Sequence, residues 1–190
     1  MKSPGLVFVV SAPSGAGKRT VIERLHQIES GLVTTISATT RPQRPDEEHG
    51  RDYYFLSRDA FDEQAAQGAF LEWAEVHGNR YGTLKAELDR CVASGNDVIV
   101  ELDVQGMRSL RALRNDVVSI FIMPPSLPEL EQRLRKRKMN DAADMALRLE
   151  NAREEIAARN EYDYVIVNDK VADAAAEMAR VIREERRKHR

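Results

Sequence analysis

Four short runs along the chain are apolar almost without interruption: Leu6 to Val10, Val98 to Leu102, Ser119 to Met123 and Tyr164 to Val167. They are rich in β-branched residues and bounded by turn or polar residues, so each reads as a buried strand. Between them the apolar spacing changes to that of a helix, as in Val21 to Ile28 and Leu127 to Lys136. Continuously apolar strands that alternate with helices predict a parallel sheet covered on both faces, a three-layer α/β core. Between Thr34 and Cys91 the texture differs. TTISATT, DYYFLS and NRYGT alternate polar and apolar positions, and the turn-rich RPQRPDEEHG separates the first two. Such strands fit an antiparallel or mixed sheet better than a parallel one. The predicted organisation is a core formed by 1-33, 92-124 and 160-190, interrupted by a mixed-β insertion, 34-91, and a helical one, 125-159. In the second insertion KRKMNDAADM predicts a mobile turn between two helices.

Composition narrows the class. With 42% hydrophobic and 32% charged residues, the 190-residue chain has the make-up of a soluble globular protein. Leu6 to Val10 falls far short of the ~18 apolar residues of a membrane span and is too short for a secretory signal. No membrane partner and a cytoplasmic location are expected. The lone cysteine, Cys91, forms no intrachain disulfide and reads as a packed thiol in a reducing compartment. His26, His49, His77 and His189 lack the spacing of a zinc site. The net charge is −2, yet basic residues clump at Arg133, Arg135, Lys136, Arg137 and Lys138 and again from Arg183 to Arg190. Glu184 and Glu185 are interleaved in the second clump, which favours a solvated helix end over a nucleic-acid partner.

Candidate chemistry begins directly after the first strand, in SAPSGAGKRT, Ser11 to Thr20. Gly15 and Gly17 tolerate the backbone dihedrals needed to turn successive N–H groups toward one phosphate. The helix that follows, starting near Lys18, aims its positive end at the same place, and Lys18 adds a mobile cation. Small residues between strand and helix also serve plain packing. The phosphate-loop pattern G-x-x-x-x-G-K-[ST] is missed at both ends, by Ala12 and by Arg19. The second mismatch removes a hydroxyl that ordinarily ligates Mg²⁺, but magnesium keeps several waters and is held in large part by substrate phosphates.

The whole series VVSAPSGAGK, SATTRPQRPDEEHGRDYYF, FLEWAEVHGNRYGT, VIVELDVQG, IFIMPPS, LEQRLRKRK and YDYVIVND resembles guanylate kinase in order and spacing along essentially the full chain. The resemblance implies a P-loop NTPase core with a parallel sheet, a mixed-β GMP-binding insertion and a helical lid. It implies transfer of the γ-phosphoryl group of ATP to GMP or dGMP, with Mg²⁺ carried as Mg-ATP, in a monomer or homodimer. ATP would lie against Ala12, Pro13, Ser14, Gly15, Ala16, Gly17, Lys18, Arg19, Thr20 and Asn168. Lys18, Arg41, Arg133, Arg137 and Arg148 would act in catalysis. GMP would lie against Ser37, Arg41, Arg44, Tyr53, Glu72, Tyr81, Thr83, Glu101 and Asp103, with the two arginines clamping its phosphate.

Base selection then follows from donors and acceptors. Guanine offers N1–H and N2–H₂ side by side, which an ionised Glu72 accepts, whereas adenine offers an acceptor at N1. Taken alone, Glu72 beside Trp73 reads better as a surface acid on an amphipathic helix; the resemblance reverses that preference. Glu101 and Asp103, two apart at the end of a core strand, are expected to share one face. One would hold magnesium through water and the other the guanine amino group. Four positions depart from the family pattern: Arg19, expected to alter magnesium handling or phosphate affinity, Glu101, where Asp is common, and Lys136 and Lys138, where glycines are common. A non-catalytic interaction module of the same fold and a related ribose bisphosphate kinase are the alternatives.

Overall fold

The computed structural model describes residues 5–76, 78–136 and 142–189. A five-stranded sheet is built from β1 (Val7–Ser11), β2 (Leu32–Thr34), β7 (Asp97–Glu101), β8 (Val117–Met123) and β9 (Tyr164–Val167), in the order β2-β7-β1-β8-β9. It is the expected parallel sheet. All four core strands read from the sequence are present, shifted by no more than two residues at either end. The described residues fall into two compact units, one within Met1–Val7 and Val33–Val117, the other within Phe8–Leu32 and Val118–Arg190.

In the second unit β1 is buried throughout, as its unbroken apolar run requires. Helix α1 (Lys18–Ile28) buries Val21, Ile22 and Leu25 and packs on α7 (Val171–His189). β9 departs from expectation. It is the edge strand, and Val165 and Val167 are 44% and 53% exposed, so only Ile166 behaves as a core residue. Helices α5 (Leu127–Lys136) and α6 (Ala142–Ala157) share a small core of Leu130, Leu134 and Ala152. The turn expected between them falls mainly on residues 137–141, which lie outside the described residues. The basic end of α7 is matched by carboxylates: Arg183 and Arg186 pair with Glu29, Arg180 with Glu177 and Glu184, and Lys188 with Glu184 and Glu185.

The first unit carries a four-stranded mixed sheet, β4-β3-β6-β5, made of β3 (Ala38–Thr39), β4 (Tyr54–Phe55), β5 (Phe70–Val76) and β6 (Asn79–Leu84). β3 runs parallel to β4 and antiparallel to β6, and β6 runs antiparallel to β5. Helices α2 (Arg58–Ala66), α3 (Lys85–Ala93) and α4 (Val104–Leu113) complete this unit. One face of the mixed sheet buries Ala38 and Phe70 against Phe61 of α2. Ser57 caps α2 by accepting from the Ala60 amide. FLEWAEV, which sequence periodicity leaves open to a helix, is therefore a strand.

Candidate active site

Strand pairing accounts for most of the acceptor set. Glu72 pairs with Thr83, Ala74 with Tyr81, and Thr39 with both Tyr81 and Phe55. Cross-strand partners share a face, so Glu72, Thr83, Tyr81 and Thr39 lie on the side opposite the Phe61 core. Continuing the β3 register by one residue puts Ser37 beside Thr83 and Tyr53 beside Ser37. The Tyr54 amide donates to the Ser37 carbonyl at 2.9 Å, in keeping with that register. Four of the predicted residues, Glu72, Thr83, Ser37 and Tyr53, thus form one line across the sheet. A bulge between Phe70 and Glu72 sets the line. Its extra residue, Leu71, lets both Phe70 and Leu71 be buried and still turns Glu72 to the open face. There the Thr83 hydroxyl donates to Glu72 Oε1 at 3.0 Å.

Arg41 stands on the same face. Its amide donates to Thr39 Oγ1 at 3.1 Å, and its guanidinium lies over the rings of Tyr53 and Phe55 at 5.5 and 5.8 Å. The anchor is Glu47, a residue that sequence reasoning missed. Its Oε1 accepts from Arg41 Nη2 at 2.6 Å and its Oε2 from the Arg44 amide at 2.9 Å. One carboxylate therefore ties both arginines to the turn. The Arg41 side chain holds Glu47 well below the usual carboxylate range, aided by the Arg44 amide, and hydrogen bonding to Glu47 raises Arg41 in turn. The signal was present in RPQRPDEE, as an acid three and six residues beyond the two arginines.

On the donor side, Gly15 and Gly17 take φ of 89° and 88°, in the left-handed region closed to most side chains, so the loop requires glycine there. Gly17 is the N-cap of α1, leaving Lys18 as its first residue. Leu130 and Leu134 of α5 press directly on Gly15. Arg133 donates to the Asn168 carbonyl at 3.1 Å, and Arg148 Nη1 lies 3.5 Å from Ser14 Oγ. Arg137 lies outside the described residues, as does Lys138. Asn168, expected against adenine, is 2% exposed and donates its amide to the Ala16 carbonyl at 2.7 Å, bracing the loop. The Arg19 side chain is 85% exposed and pairs with Glu23 at 2.8 Å.

Glu101 ends β7, half-buried, but Asp103 is not on the strand. It is the N-cap of α4 and accepts from the Gly106 amide at 2.7 Å, so the strand argument for a shared face fails for this pair. Among the described residues no group of three or more His, Cys, Asp or Glu forms a metal cage. Two hard carboxylates at one strand end fit an ion that keeps its waters and is bound mainly by substrate phosphates. Elsewhere in this unit, burial and Glu87 push the Cys91 thiol up to about 11, the state of a packed, unreactive thiol.

Known proteins resemble this chain over nearly its whole length. The guanylate kinase family model matches residues 5–185. The guanylate kinase of Polaromonas sp. is 43% identical over 188 residues, spanning 99% of this chain and 91% of its own. That of Thermotoga maritima is 40% identical over 184 residues, 97% of this chain and 89% of its own. The crystal structure of guanylate kinase from Anaplasma phagocytophilum superposes with a TM-score of 0.74 at 36% identity, covering 97% of this chain and 87% of that one. With similarity running from the phosphate loop to the last helix, the chain belongs to the guanylate kinase family.

Proposed function

We propose that the protein catalyses ATP + GMP → ADP + GDP by direct transfer between the two nucleotides, in purine nucleotide metabolism. The observation that carries the acceptor assignment is the line Glu72–Thr83–Ser37–Tyr53 on the open face of the mixed sheet, with Arg41 beside it. Glu72 accepts from guanine N1–H and N2–H₂, while Ser37 and Thr83 donate to O6. Leaving such groups unpaired against adenine costs ~1–3 kcal/mol each, enough to discriminate the bases. Arg41, Arg44, Tyr53 and Tyr81 hold the acceptor phosphate. In this reading dGMP serves as a second acceptor.

The phosphate loop, Ala12 to Thr20, holds the donor phosphates through its amides, and Lys18 neutralises charge on the moving group. Arg133, Arg137 and Arg148 complete the cage, and Asn168 keeps the loop in shape. Mg²⁺ carried with ATP would offset charge on the donor phosphates, and Glu101 or Asp103 would hold it through water. Phosphoryl transfer of this kind leaves the protein the work of positioning, charge neutralisation and water exclusion. We place the enzyme in the cytoplasm as a monomer or homodimer, without a nucleic-acid or membrane partner. Among the described residues no helix is long and apolar enough to cross a membrane.

A coupled assay of ADP production with Mg-ATP and GMP, dGMP, AMP, CMP or ribose bisphosphate tests the proposal. Turnover with GMP and dGMP is expected. Preference for AMP would overturn the base assignment, and tight GMP binding without turnover would favour an interaction module.

A further inference from the structure

Helix α4 has a glycine inside its first turn, although alanine is the better helix former. Gly106 does not have positive φ, so conformational freedom does not explain it. Space does. A β-carbon on residue 106 would lie 2.8 Å from Glu72 Cγ, 3.2 Å from Glu72 Cβ and 3.1 Å from Leu102 Cβ. The first distance is closer than carbon atoms approach, so something would have to move. Leu102 is 2% exposed, and α4 is pinned by buried Val104, Met107 and Leu110 and by its Asp103 cap. The arm of Glu72 is the softest part of this contact, and its carboxylate is what Thr83 holds at 3.0 Å. Gly106 and Glu72 also line one cavity of ≈ 530 Å³, together with Asp103, Gln105 and Ser109.

We infer that Gly106 is a positioning residue for base selection: its missing side chain is the space that lets Glu72 present its carboxylate to the purine edge. The inference rests on the reading of Glu72 as the acceptor for guanine. It also gives Asp103 a definite task, because that cap fixes the helix turn on which the space depends.

The test is Gly106→Ala, assayed at saturating Mg-ATP with GMP and with IMP, which keeps N1–H but lacks the 2-amino group. The expected result is a KM for GMP raised roughly tenfold, the order of one weakened hydrogen bond to a charged group. KM for ATP stays unchanged, and the GMP-over-IMP preference narrows. The double variant Gly106→Ala with Glu72→Asp, whose arm is one methylene shorter, recovers part of the GMP-over-IMP preference. A merely structural glycine would instead raise both KM values together and leave the GMP-over-IMP preference at its wild-type value, which overturns the inference. So does a wild-type KM and preference in Gly106→Ala while Glu72→Gln loses both. If Glu72→Gln also leaves them intact, the reading of Glu72 itself falls, and the inference with it.

Discussion

Glu47 shows how much of the proposed anion clamp can rest on a residue that carries no positive charge itself. It binds the Arg41 side chain and the Arg44 backbone at once. Glu47→Gln keeps the shape but loses the charge. Its KM for GMP is expected to rise severalfold with KM for ATP unchanged, as initial rates with each substrate varied in turn will show. Arg19 makes the opposite case. The sequence flags it as the serious mismatch, yet its side chain lies in solvent paired with Glu23. Arg19→Ser supplies the hydroxyl that the loop pattern asks for. It should lower the magnesium concentration giving half-maximal rate, and an unchanged magnesium curve would mean that position 19 has no part in handling the metal.

At the scale of elements, continuous apolar runs were enough to place the core strands, because burial on both faces leaves a pattern that no turn interrupts. β5 was illegible for a specific reason. Its bulge at Leu71 breaks the two-residue period, so Phe70, Leu71 and Trp73 are spaced like a helix face although they belong to a strand. Asp103 was misread for a related reason: the strand stops at Glu101, and only the cap geometry reveals it. The brace from β9 to the phosphate loop is likewise a long-range contact that spacing does not encode. Asn168→Asp sets a carboxylate oxygen against the Ala16 carbonyl in place of a donor. A buried mismatch of this kind costs ~1–3 kcal/mol, so KM for ATP should rise roughly tenfold while KM for GMP holds.

Glu87, 3% exposed, fastens α3 within the acceptor unit by accepting from the Ile36 amide and the Tyr54 hydroxyl, and it also accepts from Arg90 of the same helix. Burial pushes its carboxyl up, but hydrogen bonds from Arg90, Tyr54 and the Ile36 amide outweigh that and leave it lowered. A lowered carboxyl stabilises fully above its unfolded value of about 4.3, and that contribution is lost as pH falls through the folded value. Melting temperature should therefore drop steeply below about pH 4, and less steeply in Glu87→Gln, which starts lower at neutral pH. Equal slopes in the two proteins would remove Glu87 from the account.

Over the whole molecule, the donor residues described above fall in one compact unit and the acceptor line in the other, each built by its own local logic. The donor unit is a glycine loop shaped by positive φ and braced from the last strand. The acceptor unit is a mixed sheet whose register gathers residues that lie far apart in the chain. The sequence made the first legible through a contiguous motif and the second only through resemblance, since Ser37, Tyr53, Glu72 and Thr83 meet solely by strand pairing. That pairing is the central claim, and a crystal structure with GMP bound tests it most directly. The account predicts the guanine edge against Glu72 and Thr83 and the phosphate against Arg41 and Arg44; GMP seated away from Glu72, or with its phosphate turned from both arginines, would contradict it.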